Sequence, residues 1–221
     1  MNGEHKLTSL KNLESGVIKI GASATITKYF LLPFIEKFHK LYPNIDISIT
    51  NHLTNTLISS LKKGSLDVLI INLPMKNDNN LSITTCGTLH DCFAANLNYK
   101  EQIPNKISLQ DLVKNYPIIT QKEPSNTRTF LNSLMKNNKI EFHPKFEIVS
   151  YGLVKDFAKI GMGVSYITKE FAKDELENKV LFEIPIKERI PERNLGIVVP
   201  KNTITSFATQ KFMELILKRN K

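Results

Sequence analysis

Gly16-Val-Ile-Lys-Ile-Gly21 is followed by a loop of small hydroxylic residues, Ser23, Thr25 and Thr27, and then by the apolar series Ile26, Phe30, Phe34 and Phe38. Val17, Ile18 and Ile20 read as a short buried strand. The apolar series, widened by Leu31, Ile35 and Leu41, reads as one stripe of a helix that stops near Tyr42-Pro43. Pro33 lies inside that pattern and is expected to bend or break the helix locally, because its ring removes an N–H and crowds the preceding turn. A strand that turns through a hydroxyl-bearing loop into a helix aims the unpaired N–H groups of the first helical turn at whatever the loop surrounds. Such a helix start is a ready anion site.

Working outward, Ile45, Ile47 and Ile49 alternate with Asp46, Ser48 and Thr50, as in a half-exposed strand. Thr54 or Asn55 is placed to cap the next helix, with Leu57, Ile58 and Leu61 facing inward and Gly64 ending it. Val68 to Ile71 is a continuous apolar run of the kind buried on both faces in a parallel sheet. The order β-α-β-α-β predicts an open, doubly wound α/β sheet. In such sheets ligands sit at the carboxyl ends of the strands, where Ser23, Thr25, Leu53, Thr54 and Asn72 are expected to gather.

Residues 74–90 are polar and turn-rich, and a second unit of the same plan follows. Cys92 to Ala95, Pro117 to Thr120, Phe146 to Val149, Val164 to Ile167 and Leu195 to Val199 read as strands. Leu109 to Leu112 reads as a short helix. The Glu123-Pro124-Ser125-Asn126-Thr127-Arg128 loop leads into a helix carrying Phe130, Leu131 and Leu134. Ser150 caps another carrying Leu153, Val154, Phe157 and Ile160, and a final helix carries Ala208, Phe212, Leu215 and Ile216. At the other end, Leu7, Leu10 and Leu13 give residues 4–14 the look of the cut end of a longer amphipathic helix.

At 221 residues, two lobes are expected. No apolar run approaches the ~20 residues of a membrane span, so a soluble chain with no membrane partner is expected. There is no leader-like start, and Cys86 and Cys92 are the only cysteines, which points to the cytoplasm and away from a disulfide framework. The net charge of +9 raises the possibility of nucleic-acid binding, but the Lys and Arg residues are dispersed. Pairs occur only locally, as at Lys62-Lys63 and Lys218-Arg219, so a solvated surface is the better reading.

Catalytic chemistry finds little support. Gly161-Met-Gly163 is half of a dinucleotide fingerprint whose third glycine is replaced by Tyr166, so a tight helix-to-strand turn is the better reading. The five histidines are scattered, and no metal or cofactor is expected. Ser23 lacks the glycine two residues on that a nucleophile elbow requires, so its hydroxyl is read as a binding group. Arg128, in the first turn of its helix, opposes the helix dipole if exposed. The alternatives are pairing with Glu123 or reception of a ligand carboxylate by its planar fork.

These residues resemble the effector-binding region of LysR-type transcriptional regulators. The likeness runs through Gly16 to Gly21, Leu31-Leu-Pro33, Phe38, Tyr42-Pro43, Gly64-Ser-Leu-Asp67, Ile107 to Leu112 and Gly161-Met-Gly163-Val-Ser, and spans residues 16–217. It implies an α/β fold of two Rossmann-like subdomains of the type 2 periplasmic-binding-protein kind, joined by two crossover strands. The first would comprise residues 16–89 and 198–221, the second residues 90–197, with residues 1–15 as the end of a linker helix. A small effector, expected to be an organic anion, would bind between the lobes. The positions implied are Ser23, Thr25, Leu53, Thr54, Ser125, Thr127, Arg128, Ser150 and Tyr151. Thr168 stands where many members have proline. The resemblance also implies a homodimer or tetramer, with DNA contacted only through a winged helix-turn-helix that this stretch lacks. A transporter's solute-binding component shares the fold and is the competing reading.

Overall fold

The computed structural model describes residues 16–201 and 203–218. The linker-helix expectation for residues 1–15 lies outside the described residues. The chain forms two compact units, one running to Thr88 and resuming at Asn194, the other spanning Leu89–Arg193.

The first unit is built on a five-stranded sheet of β1 (Gly16–Ala22), β2 (Ile45–Asn51), β3 (Val68–Leu73), β4 (Leu81–Leu89) and β10 (Arg193–Pro200). Their order is β2-β1-β3-β10-β4. β1 runs parallel to β2 and β3, whereas β10 is antiparallel to β3, so the sheet is mixed rather than wholly parallel. The alternation of Ile45, Ile47 and Ile49 fades from buried to exposed because β2 is an edge strand. A helical stretch opens at Ala24–Ile26, passes through a π-turn at Thr27–Leu31 and continues as α1 (Leu32–Leu41). The expected break at Pro33 is thus taken up by a wider turn just before it, with Leu32 N–H bonding to Thr27 O. Phe38 on α1 meets Phe212 on α7 (Phe207–Leu217) edge to face, with ring centroids 5.4 Å apart.

α2 (Thr54–Lys62) buries Leu57 and Leu61. Neither Thr54 nor Asn55 caps it. Leu53 occupies the N-cap position, and its own N–H bonds to His52 Nδ1 at 2.8 Å. A second difference is β4, which occupies a segment expected to be loop. Ser82 to Thr85 are exposed, so only Leu81, Cys86 and Leu89 mark the buried side and the period-two signal is lost.

The second unit carries β5 (Asp91–Asn96), α3 (Leu109–Asn115), β6 (Ile118–Gln121), α4 (Asn126–Asn137) and β7 (Phe146–Ile148). It continues with α5 (Tyr151–Lys159), β8 (Val164–Thr168), α6 (Lys173–Glu177) and β9 (Leu181–Ile184). Its strand order is β7-β6-β8-β5-β9. β6 runs parallel to β7 and β8, and β5 is antiparallel to β8 and β9. One core gathers Phe93, Leu112, Ile118, Leu131, Leu134 and Tyr166 between this sheet and its helices. α5 buries Tyr151, Val154, Lys155 and Ala158, while Leu153 and Ile160, expected on the inner stripe, face outward. α6 and β9 were not anticipated from the periodicity, which is weak across Lys173 to Glu183.

Candidate functional site

In the first unit, Ala22 at the end of β1 lies in register with Asn51 at the end of β2, so these two strands finish together, while β3, paired at Ile70, runs on to Leu73. Ser23 follows directly. Its Oγ accepts a hydrogen bond from Ile26 N at 3.2 Å, capping the helical stretch, and a hydroxyl used as an acceptor keeps its proton to donate. Thr25 and Thr54 are half-buried at the two helix starts, and Leu53 is exposed. Asn51, which the sequence reading did not single out, latches this end. Its Nδ2 donates to Ala22 O at 3.2 Å and to Thr27 Oγ1 at 2.8 Å.

The second unit repeats the device twice. Ser125 Oγ accepts from Arg128 N at 3.1 Å and caps α4, and Ser150 Oγ accepts from Leu153 N at 3.5 Å and caps α5. The two helices leave from adjacent strands, since Gln121 of β6 is in register with Ile148 of β7. Gln121 Nε2 bridges them by donating to Val149 O at 3.1 Å. Gln121 was also missed. Its signal is a polar residue closing the apolar run Ile118-Ile119-Thr120, and only the pairing of β6 with β7 gives that position meaning.

Two of the expected site residues are engaged within the second unit. Arg128 is not an exposed first-turn arginine. It is 7% exposed, Nη1 lies 2.5 Å from Glu147 Oε1, Nε donates to Asn132 Oδ1 at 2.7 Å, and the guanidinium sits 5.3 Å from the Phe142 ring centroid. Glu123 bonds to Asn132 instead. Tyr151 is buried, and its hydroxyl accepts from Thr168 N at 2.8 Å and donates to Thr168 O at 3.3 Å. Burial drives the Tyr151 phenol far above the usual tyrosine range, so it stays neutral. Thr127, beside Arg128, is buried.

Thr168 belongs to a buried polar cluster. Its Oγ1 donates to Asp91 Oδ1 at 2.7 Å and accepts from Arg193 Nη2 at 3.0 Å. Arg193 grips Asp91 with Nε to Oδ2 at 2.6 Å and Nη2 to Oδ1 at 2.7 Å, and Tyr166 OH donates to Oδ2 at 3.2 Å. Burial works against the Arg193 charge, but the hydrogen bonds and charge of Asp91 outweigh it and hold the guanidinium above its ordinary pKa.

Beside this cluster His90 Nδ1 lies 2.6 Å from Glu170 and Nε2 lies 3.5 Å from Glu192, next to a cavity of about 210 Å³. The hydrogen bond to Glu170, with the charges of Glu170 and Glu192, raises the His90 pKa. A raised folded pKa favours the charged form in the native state, so this contribution is full below pH ~6.5 and is lost as pH rises through the folded value. His90→Gln is therefore expected to melt below the parent at pH 5.5 and to converge with it by pH 8.5. A pH-independent difference in melting temperature would exclude this reading.

Neither cysteine is poised for redox chemistry. Both are buried, which pushes the Cys86 thiol up to about 12 and Cys92 still higher. Among the described residues no group of three or more His, Cys, Asp or Glu side chains could hold a metal ion, and no helix is long and apolar enough to cross a membrane.

What the geometry provides is binding: serine-capped helix starts at the carboxyl ends of parallel strands, in both units. The family model described as LysR substrate binding domain matches residues 11–221. The chain belongs to the LysR substrate-binding domain family. A "Probable RuBisCO transcriptional regulator" of Trichormus variabilis is 25% identical over 216 residues, covering 96% of this chain and 64% of that protein. The chain thus spans just under two thirds of that LysR-type relative. Among solved structures it resembles the CcmR regulatory domain of Synechocystis PCC6803 in complex with 2-PG, with a TM-score of 0.81, 19% identity, and coverage of 94% of this chain and 98% of that one. It also resembles the effector-binding domain of QuiR in complex with shikimate, with a TM-score of 0.75, 19% identity, and coverage of 93% and 97%. The family is one of transcriptional regulators. The fold is accordingly of the two-unit type 2 periplasmic-binding-protein kind.

Proposed function

We propose that this LysR-type domain senses a small organic anion and passes its occupancy to a DNA-binding winged helix-turn-helix on the same polypeptide, within a cytoplasmic homodimer or tetramer. The observation that carries the ligand class is the set of three serine caps, Ser23, Ser125 and Ser150, each accepting from its own helix while keeping a proton to donate. Helix-start amides and these hydroxyls hold the acid group. Thr25, Leu53 and Thr54 stand at the helix starts of the first unit, and Thr127 and Tyr151 at those of the second. Arg128, committed to Glu147 and Asn132, acts as a positive charge behind the α4 start rather than as an open fork. Two structural neighbours were solved with acids, shikimate and 2-PG, which agrees with this chemistry.

The test is thermal-shift screening of metabolite acids, with shikimate and 2-phosphoglycolate included, followed by calorimetry on Ser23→Ala and Ser125→Ala. A charge-assisted hydrogen bond is worth roughly 1.5 to 3 kcal/mol, so each variant is expected to weaken the hit about tenfold to a hundredfold. Unchanged affinity in both variants would place the ligand elsewhere. A neutral compound as the sole hit would remove the anion argument.

A further inference from the structure

The second unit contains a charged pair that its core does not need. Asp91 and Arg193 are 5% and 4% exposed, and an apolar pair of similar size is often as stable as a buried ion pair. Their location is more informative. The chain passes from the first unit to the second between Thr88 and Leu89, and back between Arg193 and Asn194. The pair therefore joins the two crossings, and two more contacts flank it: Thr88 Oγ1 to Asn194 Oδ1 at 3.3 Å and His90 to Glu192 at 3.5 Å.

Two of the serine-capped helices of the second unit, α4 and α5, reach this pair from near their starts. From α4, the Phe130 ring lies 5.4 Å from the Arg193 guanidinium. From α5, Tyr151 OH holds both the N–H and the C=O of Thr168, whose Oγ1 bonds to Asp91 and Arg193. We propose that Arg193 is a positioning residue that couples α4 and α5 to the two chain crossings, through its stack on Phe130, its contact with Thr168 and its forked grip on Asp91. A shift of the first turns of either helix moves Phe130 or Tyr151. The bidentate grip, having little freedom to stretch, carries that shift to residues 88–91 and 192–194.

This inference rests on reading α4 and α5 as the effector helices, but its test needs no ligand, so the two stand or fall separately. Amide hydrogen exchange read by mass spectrometry on the ligand-free protein is compared for the parent, Phe130→Leu and Tyr151→Phe. Each variant is expected to speed exchange about tenfold at residues 88–92 and 192–195 while leaving Leu109–Asn115 and Leu181–Ile184 at parental protection. Acceleration spread evenly over the second unit, or none at the crossings, would overturn the coupling. In an Asp91→Leu/Arg193→Met background, adding Phe130→Leu is expected to change nothing further at the crossings. An undiminished additional effect there would equally overturn it. Should that background fail to fold, the two single variants still decide the matter.

Discussion

Asp91→Asn is expected to destabilise the second unit by about 3 to 5 kcal/mol, because it leaves the Arg193 charge buried without its counter-charge. At roughly 2 to 4 °C per kcal/mol for a chain of this size, the melting transition of that unit falls by about 6 to 20 °C. The carboxylate accepts four hydrogen bonds, from Arg193 Nε and Nη2, Thr168 Oγ1 and Tyr166 OH. An amide of the same shape must present a donor to one of those donors. The double variant Asp91→Leu/Arg193→Met removes both charges and is expected to stay within about 2 kcal/mol of the parent. Calorimetry of the two variants and of Arg193→Met completes a double-mutant cycle. If the double variant is as unstable as the sum of the singles, the pair is holding the fold rather than the crossings, and the argument from dispensable charge fails.

Gly163→Ala is expected to be comparably damaging, and far more so than Gly161→Ala. A Cβ at Gly163 would lie 2.3 Å from Pro117 O, at a φ of +154°. That carbonyl cannot retreat easily because it accepts the Val164 N–H at 2.9 Å, the contact that starts β8 beside β6. Overpacking against fixed backbone together with a disfavoured dihedral gives about 3 to 5 kcal/mol. Gly161 also has a positive φ, of +80°, but no atom lies within 4 Å of its Cβ position, so alanine there costs about 1 to 2 kcal/mol. Urea melts of the two variants check this. Equal losses would mean that dihedral strain alone sets both values and that the Pro117 contact is slack.

The two glycines show the limit of reading a motif by its letters. Both fit a tight helix-to-strand turn, which is how Gly161-Met-Gly163 reads in sequence. Which of them is irreplaceable depends on Pro117, a residue 46 positions away that β6–β8 pairing brings alongside. Arg128 teaches the same lesson. Its place in the first turn of α4 was legible, but its burial against Phe142 and its pairing with Glu147 follow from where β7 lies. The edge strand β4 stayed hidden because Ser82 to Thr85 face water and erase the alternation.

The amino-acid sequence by itself determined the local order of strands and helices apart from β4, α6 and β9, the serine cap at 150, the turn after α5 and the likeness of the chain to its family. Caps and turns close over three or four residues, and a buried face repeats every two or every three to four residues. These signals need no knowledge of the rest of the chain. Tertiary structure alone decided the mixed strand order of each sheet, the roles of Asn51 and Gln121 at the strand ends, and the Asp91–Arg193 grip. That grip links residues 102 apart in sequence. Its energy depends on removing both groups from water and facing them at hydrogen-bond distance, a condition that exists only once β5, β8 and β10 have found their places.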